Sequence, residues 1–238
     1  MENYKLIQDE KELQNFIEFL PELKKNECYF LILLARKKWN KESDIPSTVR
    51  LKREVVLDKV HIIRTIQQME CKIGSYTAKE NIPIPQENLG IYIGINPRDQ
   101  SKAAFEFIDA CLSRIKNEEN INLRSIANDV VQTTIGTKHF IDIDVDIKED
   151  ETREELMGFI KQTLGEAIIT FVITSGGFHC LLDKSKITNK NWHQQLQSPT
   201  SALNGLKKYK SDINIMKADA LMPIPGCNQG KFIPFIQK

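Results

Sequence analysis

The chain carries almost no net charge: 33 Lys and Arg residues stand against 32 Asp and Glu in 238 residues, a formal +1. So close a balance excludes a global electrostatic attraction to nucleic acid or to an acidic membrane, and any anion-binding surface has to be local. Cysteine is sparse. Cys28, Cys71, Cys111, Cys180 and Cys227 are odd in number and never spaced as CxxC. That pattern argues against a disulfide scaffold and a structural zinc knuckle, and for free thiols in a reducing cytoplasm, with no zinc expected. Long apolar runs are missing as well. No segment approaches the roughly 20 apolar residues of a membrane span, and the start MENYKLIQDEKELQ lacks the basic-then-apolar order of an export signal. The expectation is a soluble, cytoplasmic protein without a membrane partner. A Walker A loop, internal repeats and low-complexity segments are also absent from the sequence.

What is there suits a globular chain: 41% hydrophobic and 27% charged residues suffice to bury a sizeable core. The length fits one large unit, or two small ones sharing a continuous core. Charge is unevenly distributed. Basic residues gather in the first third, in ARKKW (Arg36, Lys37, Lys38) and VRLKR (Arg50, Lys52, Arg53), while acids concentrate between Asp142 and Glu155. A solvated charged face and a phosphate-tracking surface are both consistent with these basic runs.

Hydrophobic periodicity orders the elements. Leu13, Phe16, Ile17 and Leu20 predict an amphipathic helix over 9–19, limited by Pro21. CYFLILLAR reads as a buried strand that delivers Arg36, Lys37 and Lys38 at its exit. Val55, Val56, Val60, Ile63 and Ile66 give 52–69 a mostly helical pattern, LGIYIGINPR is a second strand, and Ser101 is a candidate cap for the helix that follows. A helix near Val130 leads into a clear alternation: strand HFIDIDVDI, helix 152–164, strand AIITFVIT, an SGG turn and strand FHCLLD. A helix over 191–208 and a final strand KFIPFI close the chain. Strands separated by single helices predict an α/β or α+β layered fold with mixed strand direction.

Two motifs carry chemistry. In HFIDIDVDI, Asp142, Asp144 and Asp146 are two residues apart, so on a strand their carboxylates project from one face while the residues between fill the other. Like charges on a half-buried strand are costly unless a cation neutralises them, and hard oxygen ligands select Mg²⁺ or Mn²⁺. Paired carboxylates can bridge two such ions. The triplet alone does not separate a polymerase from a metal-dependent nuclease. In TSGGFHCLL, Gly176 and Gly177 permit positive φ and close backbone approach to an anion, Ser175 adds a hydroxyl, and His179 can hydrogen-bond a phosphate or act as an acid. A simple hairpin turn with an incidental histidine is the competing reading.

Together these residues resemble the archaeo-eukaryotic primase superfamily, which includes primase-polymerases. FIDID matches its first motif through Asp142 and Asp144, and TSGGFHCLL its second through Ser175 and His179. ADALMPIPGCNQGKF supplies Asp219 for the third and resembles the PIPGTxQGG tail of many primase-polymerases through Gln229 and Gly230. The likeness covers roughly residues 138–236. It implies a two-layer core, with an N-terminal α/β module (1–130) supporting template and nucleotide on an RRM-like mixed sheet (131–238) that carries the metal site. It further implies two Mg²⁺ or Mn²⁺ ions on Asp142, Asp144 and Asp219, with Asp212 as the fallback third acid and Asp146 in a supporting place. Nucleotide (NTP or dNTP) would be bound by Ser175, Gly176, Gly177, His179 and Arg36, with Arg98 a further candidate for phosphate contact. A single-stranded DNA template would lie along Lys37, Lys38, Arg50, Lys52 and Arg53. The chain has neither the zinc-ligand spacing nor the helicase found in many relatives, so the resemblance implies an isolated catalytic unit or one served by a separate helicase or replication protein. A nucleotide- or nucleic-acid-binding module without turnover is the remaining alternative.

Overall fold

The computed structural model describes residues 2–188, 191–192, 213–215 and 220–237, the 213–215 segment as backbone. Helix α1 (Glu10–Phe19) starts where Asp9 accepts a hydrogen bond from the Glu12 amide at 2.9 Å, and it buries Leu13, Phe16 and Ile17. Strand β1 (Glu27–Arg36) is buried on both faces. Beside it lies β2 (Thr48–Val56), antiparallel, with a bulge between Leu33 and Leu34.

That strand corrects the helical reading of 52–69. The helical part is confined to a 3-10 turn over Lys59–His61 and the α-helix α2 (Ile62–Gln67), because Val49, Leu51 and Val56 pack into the core beside β1 and the Arg53–Glu54 pair hides their alternation in the sequence. Strand β3 (Leu89–Gly94) and the short β4 (Arg98–Asp99) follow. Helix α3 (Gln100–Lys116) is capped by Asp99, which accepts from the Lys102 amide at 3.0 Å, so the cap is Asp99 and not Ser101. Helix α4 (Leu123–Thr133) stands where a helix near Val130 was expected.

The second half follows the predicted alternation: β5 (Phe140–Val145), α5 (Asp150–Leu164), β6 (Ile168–Ile173) and β7 (Phe178–Asp183). Strands β8 (Ile213–Ile215), β9 (Leu221–Pro223) and β10 (Phe235–Gln237) complete the described elements. The helix expected over 191–208 lies outside the described residues except for Asn191 and Trp192.

Two sheets result, in the orders β2-β1-β3-β9, with β4 beside β1, and β10-β6-β7-β5-β8. Every named strand pairing among the described residues is antiparallel, which corrects the expected mixed direction to an α+β arrangement. In the second sheet β7 sits between β5 and β6, so the helix-linked strands are separated by the strand that follows them, a split β-α-β order. Helix α5 covers one face of that sheet through Leu156, Met157 and Ile160 against Ile143, Val145, Phe178 and Cys180. From its other face, Phe140, Val172 and Leu181 join a core shared with Leu31 and Leu33 of β1. The tail from 220 enters both sheets, as β9 in the first and β10 in the second.

Candidate active site

The acids lie where the second sheet meets the first. Alternation on β5 turns Asp142 and Asp144 to the same side as Phe140, away from α5. Across the ladder Asp144 is directly opposite His179 on β7, and Asp142 is opposite Leu181. The ring Nδ1 of His179 is 3.0 Å from both oxygens of Asp142, and Nε2 is 3.5 Å from Asp144 Oδ1. Asp142 and His179 are buried, at 4% and 5% exposure.

Burial by itself would lower the His179 pKa, but the charge and hydrogen bond of Asp142, with Asp144 and Asp146 behind, raise it above its ordinary value. Asp144 is also pushed up, first by burial and then by Asp146 and Asp142, against the opposing pull of His179 and Lys38. The histidine, expected to face a phosphate, instead turns its two ring nitrogens toward two carboxylates.

Asp146 falls one residue past the end of β5 and is exposed, so only two of the three acids share the strand face. It lies instead against the SGG turn, where a Cβ on Gly176 would stand 3.3 Å from its Oδ1. In that turn the Thr174 amide donates to the Gly177 carbonyl at 2.9 Å, and the Ser175 amide donates to Gln229 Oε1 at 2.8 Å. Gly176 and Gly177 do not use positive φ, contrary to expectation; the positive-φ glycines among the described residues are Gly74, Gly165, Gly226 and Gly230. Gly177 is needed for another reason: a Cβ there would collide with the Val145 carbonyl and lie 2.7 Å from the Ile147 amide nitrogen.

Ser175, Gly176 and Asp146 line an open pocket of about 470 Å³ together with Lys38, Lys148 and Lys231. Lys38 comes from the exit of β1, so the first sheet supplies a cation to the acids of the second. Its pKa is lowered by partial burial, then by Arg36 and Lys148, while Asp146 and Asp144 work in the other direction. Arg36 stacks over Trp39, 5.7 Å from the ring centroid. The Trp39 ring in turn occupies a niche that only glycine leaves open at Gly90 and Gly230, the latter at φ +69°. Lys148 and Lys231 were not singled out in the sequence. Lys231 directly follows the Gln229-Gly230 pair and Lys148 continues the alternation of the acids, the only local signals that pointed to them.

The other basic residues stand apart from this pocket. Lys37 is exposed next to Lys38. Arg50, Lys52 and Arg53 line a separate pocket of about 350 Å³ with Arg124 and Asn128 of α4, residues the sequence did not bring forward. An ion pair between Arg53 and Asp129 joins the two walls. Arg98 is completely buried, its guanidinium packed over Gly94, so it is part of the interior and not of an anion-binding surface.

Asp142 and Asp144 offer hard oxygen donors on one face, and the upward pressure on Asp144 from neighbouring carboxylates is of the kind a divalent cation relieves. Among the described residues no group of three or more His, Cys, Asp or Glu side chains is arranged to hold a metal ion. Both candidates for the third acid, Asp219 and Asp212, lie outside the described residues. No helix among the described residues is long and apolar enough to cross a membrane. Comparison with protein-family models, curated proteins and solved structures returns no match to this chain.

Proposed function

We propose that this chain is a metal-dependent nucleotidyl transferase. Within that class, its motifs resemble those of the primase-polymerases, and the reading is of an enzyme that extends or starts a strand on a single-stranded DNA template from NTPs or dNTPs. One observation carries it: two same-face carboxylates, Asp142 and Asp144, stand beside an open pocket with three lysines and a glycine turn. A triphosphate needs such a cationic pocket next to its metal ligands; water-activated cleavage of a strand does not.

Divalent cations held by Asp142 and Asp144, with Asp219 as the further ligand implied by the family likeness, would supply Lewis-acid activation of a 3′-hydroxyl and neutralisation of the triphosphate. Lys38, Lys148 and Lys231 hold phosphate oxygens by charge, and the Ser175 hydroxyl orients one of them. The Gly176 amide is engaged only weakly, at 3.4 Å from Thr174 Oγ1, and can turn to a phosphate. His179 keeps a proton between Asp142 and Asp144 and fixes both carboxylates against the sheet. Arg36 and the β2–α4 pocket offer the template backbone a local positive track in a chain that is neutral overall.

The test is incubation of purified protein with Mn²⁺ or Mg²⁺, a single-stranded template and labelled nucleotides, with and without primer, beside an Asp142→Ala, Asp144→Ala variant. Metal-dependent incorporation lost in the variant is expected, and product without primer would make the enzyme a primase. Template shortened without incorporation would replace this reading by a nuclease. No metal-dependent change at all would leave a binding module.

A further inference from the structure

Helix α3 presents an apolar stripe that nothing in the described chain covers. Its inner side carries the buried Ala103 and the half-buried Phe107, Ala110 and Cys111. Outside, Phe105 is 73% exposed, Ile108 54%, Leu112 50% and Ile115 58%. Solvent-facing helix surfaces are ordinarily polar, and four large apolar side chains in one row on a helix of 17 residues depart from that.

Their spacing says what kind of surface fits. Steps of three, four and three residues are the alternation of the first and fourth positions of a heptad, the seam of a two-helix coiled coil. The row spans four consecutive seam positions, and a second copy of α3 presents the same row.

Area points the same way. With a large apolar side chain offering roughly 150–200 Å², the four residues present on the order of 400 Å². Two copies face to face would bury about 800 Å² of apolar surface, to which the flanking side chains add, the range of a weak, reversible interface.

Charge then selects the direction of pairing. In this register the positions flanking the seam are Lys102, Asp109 and Lys116 on one side, Ala104 and Cys111 on the other. An antiparallel pair with full overlap brings Lys102 of one copy close to Lys116 of the other. A parallel pair sets Asp109 beside Ala104 and Lys116 beside Cys111, with no like charges opposed.

We propose that the chain forms a homodimer in which α3 pairs in parallel with α3 of a second copy, each of Phe105, Ile108, Leu112 and Ile115 meeting its own equivalent. The seam lies on an outer helix, contains no residue of the candidate active site, and stands whether or not the chain transfers nucleotides.

The test uses the whole chain in size-exclusion chromatography with light scattering over a dilution series. A mass twice that of one chain is expected, halved in a Phe105→Glu, Leu112→Glu variant. Both positions are exposed, so the fold should survive, and circular dichroism checks that it does. A single-chain mass for the unaltered protein at every concentration, which is what a stripe reserved for a different partner would give, overturns the proposal, as does a dimer that persists in the double variant. Direction is read separately: a Cys111→Ser, Leu112→Cys chain should form a covalent dimer on mild oxidation, since that position faces itself only in a parallel seam. A dimer that does not cross-link overturns the parallel pairing.

Discussion

His179 on β7 and Asp142 on β5 are locked side on, the ring Nδ1 3.0 Å from each carboxylate oxygen, with both side chains almost fully buried. The histidine sets its ring nitrogens against two carboxylates on a buried strand face, where burial makes their like charges costly.

Removing it should therefore cost more than a hydrogen bond. His179→Ala leaves Asp142 buried without its partner, and the expected loss is roughly 3–5 kcal/mol in urea unfolding. Mn²⁺ should recover more stability in this variant than in the unaltered protein, because a cation bound only by the folded state takes over the missing charge. No recovery in either protein would argue that the carboxylates bind no metal.

The two glycines of the turn should behave differently although they are adjacent. Gly177→Ala drives a methyl group into the backbone of Val145 and Ile147, which cannot yield without disturbing β5, and should lower stability by about 2 kcal/mol. Gly176→Ala meets only the Asp146 carboxylate at 3.3 Å and should lie within about 1 kcal/mol of the parent. Thermal unfolding of the two variants side by side checks the order.

Gln229 ties the tail to the turn by accepting from the Ser175 amide at 2.8 Å while 6% exposed. Gln229→Leu should cost about 1–2 kcal/mol and free the turn that borders the lysine pocket. In a nucleotide-incorporation assay the effect is expected in KM for the nucleotide more than in kcat. A change confined to kcat would detach the turn from nucleotide binding.

Glu27 supplies a pH dependence remote from the candidate active site. Burial raises its pKa, but hydrogen bonds from the Lys24 and Thr137 amides, each 2.9 Å, together with the nearby Lys24 charge, bring it below the ordinary value of 4.5. A carboxylate depressed by folding adds stability at pH values above 4.5, and that contribution is lost as the pH falls through the folded-state pKa. The stability gap between the parent and Glu27→Gln should be constant near neutrality and close on acidification below that range, as urea titrations at a series of pH values would record.

Arg50 and Arg124 come from segments more than 70 residues apart, yet line one pocket. If single-stranded DNA runs there, Arg50→Ala and Arg124→Ala should each weaken binding similarly for all sequences and flatten the dependence of log affinity on log salt by about 0.7. Fluorescence anisotropy with EDTA present measures this without turnover. Unchanged slopes would remove the pocket from the template path.

How much of this was legible beforehand differs from element to element. Strand β5 and helices α1 and α5 declare themselves because period-2 and period-3.6 patterns are local, and Asp142, Asp144 and His179 could be named from motif spacing alone. Strand β2 could not. Its alternation is broken at Arg53–Glu54, and the valines that follow match helical spacing as well as they match a strand. Pairing with β1 resolves the ambiguity, and pairing is not written in either segment by itself. The cap of α3 was misplaced by two residues because Asp99 and Ser101 are both suitable acceptors; the bridge of Asp99 to Glu27 selects between them.

By itself, the sequence determined that Asp142 and Asp144 share a strand face and that charge would have to act locally, while the place of Asp146 beyond the strand end was left to the structure. Only the tertiary structure decided that Lys38, Lys148 and Lys231 meet at one pocket, that Gln229 holds the turn, that Arg98 is interior and that α3 is left with an apolar face outward. Local patterns follow from backbone geometry within a few residues. Those outcomes depend instead on how two antiparallel sheets pack and on where the tail from residue 220 joins each of them.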